Sequence, residues 1–129
     1  MVSFDDFTQV DGVPIYTQII LYIKRGAIAG TIQDGEELPS RRTLSALLGV
    51  NPNTVQKAFR MLEEEGLLVS RSGAKSEMSL TQENLNRIRA DLMERDTQTL
   101  ISAMQQMGVE KGELLRLIDT LWPGKEETP

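Results

Sequence analysis

Apolar residues in this chain recur at helical spacing in short blocks, each closed by glycine or proline. Pro14 suits the first turn of a helix; Ile15, Ile19, Tyr22, Ile23 and Ala27 then form one apolar stripe, with Gly30 as its stop. The stretch "TIQDGEELPS" reads as a turn, with Asp34-Gly35 as a tight reversal and Pro39 as a halt. Ser40 is placed to cap a second helix, whose Leu44, Leu47 and Leu48 are expected to face inward before Gly49 ends it. Asn51 caps a third helix and Pro52 fits its first position. Val55, Ala58, Phe59 and Leu62 lie at i, i+3, i+4 and i+7 of that helix, which is the signature of one buried face. Two short helices joined by a glycine-containing turn make a helix-turn-helix.

Beyond Gly66 the period changes. Leu67, Leu68 and Val69, a turn at Ser72-Gly73, and a second run ending at Met78 and Leu80 predict a β-hairpin. The predicted fold is therefore mainly α with a small β-hairpin: a winged helix-turn-helix domain over residues 1–80, led in by two aromatic anchors, Phe4 and Phe7. Residues 81–129 form a tail of two amphipathic helices. The first carries Leu85, Ile88, Leu92, Leu100, Met104 and Met107, with a polar break around 95–99 and Gly108 as its end. The second carries Leu114, Leu117, Ile118 and Leu121, and the last five or six residues are read as loose. Two such helices cannot bury their stripes alone and need either the winged domain or a partner chain, and these ten residues are the candidates for that contact.

Composition removes whole classes of chemistry. The 129 residues include no cysteine and no histidine, which excludes disulfides, thiolate metal sites and histidine-based catalytic triads. Glu110, Glu113 and Asp119 are acids on a surface stripe with no histidine to join them, so no metal and no cofactor is expected. An enzyme would need a carboxylate pair in a pocket, and nothing in the sequence marks one. The start, "MVSFDDFTQV", has acid where a signal peptide has base, and no apolar run is long enough to span a bilayer, so a cytoplasmic chain is expected.

The net charge of −5 is unevenly spread. Residues 1–38 hold two bases against six acids, residues 39–80 six against four, and residues 81–129 six against nine. Only the middle third is positive, and three of its acids, Glu63, Glu64 and Glu65, crowd the end of the third helix, where they read as a solvated tip. That helix opposes its own dipole, with amides, hydroxyl and Lys57 at the positive end and acids at the negative one. A helix accepts this arrangement when its amino-terminal tip meets an anion.

"PIYTQI" at 14–19, "DGEELPSRRTLS" at 34–45, "LGVNPNTV" at 48–55 and "AFRMLEEEGLL" at 58–68 resemble the GntR family of bacterial transcription regulators, and within it the small YtrA-like branch. The resemblance implies a DNA-binding regulator, a repressor by expectation, whose two tail helices join a homodimer on a palindromic operator, with transporter genes as frequent targets. Asn53, Thr54, Gln56 and Lys57 then meet base edges in the major groove. Asn51 is first a cap and second a reader. Arg42, matching the family's helix-two arginine, is the candidate base contact, while Ser40 and Arg41 clamp phosphate. Arg71, Gly73 and Lys75 place the wing on the DNA backbone or minor groove. The alternative is a winged helix that binds protein and no DNA, which the acidic total favours and the basic middle third does not. A small-molecule effector, having no domain of its own, would sit at the dimer interface or between tail and wing; nothing in the sequence identifies it.

Overall fold

The computed structural model describes residues 1–73 and 75–123; the end read as loose, 124–129, lies outside them. The elements are α1 (Ile15–Ala29), β1 (Glu37–Leu38), α2 (Arg41–Leu48), α3 (Pro52–Glu64), β2 (Leu68–Ser70), β3 (Ser76–Met78), α4 (Gln82–Gln106) and α5 (Lys111–Leu121). They fall into two units, Met1–Arg89 and Ala90–Pro129.

Helix ends follow local chemistry. Ser40 Oγ accepts the Thr43 N–H at 3.1 Å, and Asn51 Oδ1 accepts the Asn53 N–H at 2.7 Å, each satisfying a first-turn donor. Gly49 adopts φ 69, a left-handed conformation that lets its N–H close back onto the Ser45 carbonyl and turn the chain directly into α3. Thr81 and Asn84 cap α4 reciprocally: the Thr81 N–H donates to Asn84 Oδ1 at 2.9 Å, and the Asn84 N–H donates to Thr81 Oγ1 at 3.0 Å.

The core of the first unit gathers Ile19 and Ile23 from α1, Leu44 from α2, Val55, Ala58, Phe59 and Leu62 from α3, and Leu38, Leu67, Leu68 and Met78 from the sheet side. Leu47 does not join it. It is exposed, because α2 turns Leu44 and Ser45 inward, and the Ser45 hydroxyl donates to the Val50 carbonyl at 2.5 Å across the turn. The hairpin forms as predicted, and β1 adds a third strand where a turn was expected. The sheet order is β1-β3-β2, all antiparallel, with Leu38 opposite Ser76 and Val69 opposite Glu77. A two-residue strand has no alternation to read; it exists because β3 pairs with it.

The acidic lead is structural. The Val2 N–H donates to the Glu37 carbonyl at 2.8 Å, and Val2 and Phe4 are buried. Phe4 stacks on Tyr22 with centroids 5.0 Å apart, and Phe7 meets both rings edge-on. The Tyr22 hydroxyl donates to the Ser3 carbonyl at 2.7 Å. Burial first, then the carboxylates of Asp6 and Asp5, raise the Tyr22 pKa above its ordinary 10.0.

The first turns of α4 pack within the first unit. Leu85 and Ile88 pack on the core of the first unit, and Asn84 Nδ2 donates to the Ser79 carbonyl at 2.9 Å. Leu92 is also covered within the single chain. Ile88 and Leu92 are thus buried and Leu85 half-buried in the single chain, which leaves them less apolar surface for a dimer seam than the later residues of α4. The polar stretch at 95–99 is exposed and α4 runs through it unbroken for 25 residues; Gly108, at φ 75, turns the chain into α5.

Replacing Phe4 by alanine removes a buried ring and leaves a cavity between α1 and the lead. Stability should fall by about 3 kcal/mol, measured by urea denaturation.

Candidate nucleic-acid interface

Because α3 buries Val55, Ala58, Phe59 and Leu62, its opposite stripe is fixed by the 100° step per residue as Asn53, Lys57, Arg60 and Glu64, with Gln56 alongside. All five are exposed, while Thr54 is half-buried at the edge of the face. Arg60 went unremarked as a site residue in the sequence, yet it lies three positions past Lys57, so period alone could have found it. The Asn51 side-chain oxygen is committed to the cap.

The two arginines of α2 part company. Arg42 is exposed and makes no ion pair among the described residues. Arg41 turns inward: its guanidinium carbon lies 5.3 Å from the Phe59 centroid and Nη2 lies 3.9 Å from Glu63 Oε1. Its Nε is buried without a hydrogen-bond partner. In the single chain the Arg41 side chain is engaged in packing α2 on α3. Ser40, half-buried, has its hydroxyl turned to Thr43 as cap acceptor and as donor to Thr43 Oγ1 at 2.9 Å.

On the wing, Gly73 has φ 73, which a side chain would strain. Arg71 Nε sits 3.1 Å from Glu77 Oε1, and the Arg71 N–H donates to the Lys75 carbonyl at 2.8 Å, so Arg71 braces the hairpin. Lys75 is exposed and makes no ion pair among the described residues. The acids ending α3 are not a solvated tip. Glu63 accepts the Ser70 hydroxyl and faces Arg41, while Glu65 Oε1 lies 2.8 Å from the buried Lys24 ammonium. The Arg87 guanidinium donates to the Glu65 carbonyl at 2.9 Å. Of the three, only Glu64 stands in solvent without a partner among the described residues. The exposed cations Arg42, Lys57, Arg60 and Lys75 therefore outnumber the exposed acids on these elements.

A winged helix that presents polar and cationic side chains from the outer face of its third helix belongs to the helix-turn-helix class of DNA-binding modules. The profile of the bacterial regulatory proteins of the gntR family matches residues 15–75. The chain is 43% identical over 60 residues to the HTH-type transcriptional repressor YtrA of Bacillus subtilis, a match that covers 46% of each protein, less than half of that relative's length. It is 28% identical over 111 residues to the HTH-type transcriptional regulator YhcF of the same organism, covering 86% of this chain and 92% of that one. A GntR family transcriptional regulator from Listeria monocytogenes has the same fold at a TM-score of 0.77 and 29% identity, covering 88% of this chain and 99% of that one. Over residues 15–75 the chain is similar to the gntR family of bacterial regulatory proteins, and the relatives matched there carry the names of transcription regulators. These relatives do not favour the alternative of a winged helix that avoids DNA.

Arg41 and Arg42 should separate on substitution. Arg41→Ala should lower the thermal midpoint in a circular-dichroism melt through lost packing on Phe59. Arg42→Ala should leave it within a degree or so, as surface changes usually do.

Proposed function

We propose that this chain is a cytoplasmic, homodimeric transcriptional repressor that reads a palindromic operator in duplex DNA, with transporter genes as its targets. The observation that carries the reading is the outward stripe of α3: Asn53, Gln56 and Lys57 are exposed at the amino-terminal half of a helix whose other face is locked in the core. In this reading Asn53 and Gln56 pair with adenine edges, and Arg42 and Lys57 take guanine or phosphate. Arg60 and Lys75 add phosphate contacts. Asn51 and Thr54 add short polar side chains at the start of α3, Ser40 adds one at the start of α2, and Gly73 lets the wing approach closely. Among the described residues no helix is long and apolar enough to cross a membrane.

The dimer is carried by the second unit. No residue of α5 is buried in the single chain, and Leu117, Leu121 and Trp122 are 49%, 67% and 66% exposed. Leu100 and Met107 of α4 are exposed as well. Leu114 and Ile118, with Met104, line a cleft of about 340 Å³ between α4 and α5, and this apolar space is the proposed site of any small-molecule effector.

Selection from a random duplex pool should return an inverted repeat with half-sites about one helical turn apart. Affinity for it should fall with salt at a log–log slope near −0.9 per phosphate contacted. Arg42→Glu should abolish the electrophoretic shift while leaving the melt unchanged; a retained shift would overturn the assignment. Leu117→Asp with Leu121→Asp should give a monomer by light scattering and at least about tenfold weaker operator binding.

A further inference from the structure

The Lys57 ammonium sits 4.0 Å from the centroid of the Tyr16 ring. Lys57 makes no ion pair among the described residues, so the ring is its partner. Tyr16 is half-buried on α1, packed against the core and in helical register with Ile19, Ile20 and Ile23. The ring is thus held from behind by the core and offers its outer face to α3.

We propose that Tyr16 is a positioning residue for DNA recognition: its ring seats the Lys57 ammonium and makes Lys57 a fixed, specificity-determining cation. The proposal rests on the DNA-binding reading above and adds a residue to it. A lysine is a hydrated point charge on a flexible four-carbon stem, and fixing it at one acceptor surrenders much of its rotamer freedom. An aromatic face limits that loss in advance. It does so without an anion that DNA would have to displace, because an exposed cation–π contact contributes only about 0.5–1 kcal/mol. The benefit depends on the complex. Non-specific binding counts neutralised phosphates through counterion release and is indifferent to where a mobile charge rests. A base-edge contact needs the ammonium at one point. The seat should therefore act on the specific complex and leave the non-specific one alone.

Fluorescence anisotropy with two labelled duplexes tests this, one recovered by selection and one of mixed sequence, using the full chain. Tyr16→Leu should weaken binding to the selected duplex by about two- to fivefold, which is the cation–π energy converted to affinity. It should not change binding to the mixed duplex. Tyr16→Phe, which keeps the ring, should stay within about twofold of the parent, the low end of that range. In a Lys57→Ala background, Tyr16→Leu should add nothing. The salt slope should be preserved in Tyr16→Leu. Equal losses from Tyr16→Leu with and without Lys57 would show a merely structural role and overturn the proposal. So would a gain in affinity, which would mean the ring withholds the lysine from DNA, or a loss in Tyr16→Phe as large as in Tyr16→Leu. Should the leucine variant fail to fold, the parent decides: ring current must move the Lys57 Hε proton resonances upfield, and random-coil positions would overturn the seat. Failure of the parent chain to bind any duplex is a different result and sinks the DNA reading itself.

Discussion

Val55, Ala58, Phe59 and Leu62 leave water together, none more than 1% exposed, and a rigid helix that buries one stripe also fixes where it aims the opposite one. Burying the three larger side chains is worth roughly 1.5–3 kcal/mol each, a large part of the roughly 5–15 kcal/mol that holds a domain folded. Rotating α3 by one position would carry that face 100° toward solvent. The outer stripe therefore cannot be re-aimed without unfolding the unit. α1 and α2 supply the surface against which the face is buried, and the lead segment closes over α1 through Phe4 and Tyr22. Recognition geometry here is a by-product of core packing.

The charges of α3 answer to the same constraint. Its acidic end opposes the dipole, but Glu63 and Glu65 are each given a partner, Arg41 with Ser70 for one and Lys24 for the other. Such pairs add little stability where they are exposed. Lys24 is different, because its ammonium is nearly out of water and would be left uncompensated without Glu65. Their joint effect is on the field. With two of three carboxylates bound locally, the negative charge near the carboxy-terminal end of α3 is reduced, while Arg42, Lys57 and Arg60 make no ion pair among the described residues. That is how a chain of net charge −5 can present a positive face to a polyanion.

What could be read in the sequence was what depends on near neighbours. The caps at Ser40 and Asn51, the glycine stops and the period of α3 are each written within a few residues, and all were legible. Leu47 was misassigned because its spacing from Leu44 is right for a shared face; the Ser45 hydroxyl and the packing of α3 decided which side turned in. Arg41 and Arg42 are chemically identical neighbours, and only Phe59 and Glu63, distant in sequence, separate them. β1 needs β3 to exist. Leu85 and Ile88 continue the same stripe as the rest of α4, and nothing along that helix announces where the core ends. Tyr16 and Lys57 lie on different helices, so their contact had no sequence signal, whereas Arg60 did and was passed over.

The second unit poses the remaining physical question. An isolated helix shorter than about 12–15 residues is marginal in water, and α5 has 11 residues, none of them buried. Its half-buried Leu114 and Ile118 face the cleft with α4, while Leu117 and Leu121 are left outside. Covering that second edge with an identical helix is the arrangement a two-fold dimer supplies, because each copy offers the other the same patch. Under that arrangement the tail does more than join two chains. One α3 offers only a few base contacts, each worth roughly 1–3 kcal/mol of discrimination, and linking two modules makes the second encounter intramolecular. The distance between the two reading helices then selects the spacing of half-sites. In the proposed dimer, a helix pair that touches no base would govern which DNA the pair of chains can tell apart, while α3 would govern what each half must say.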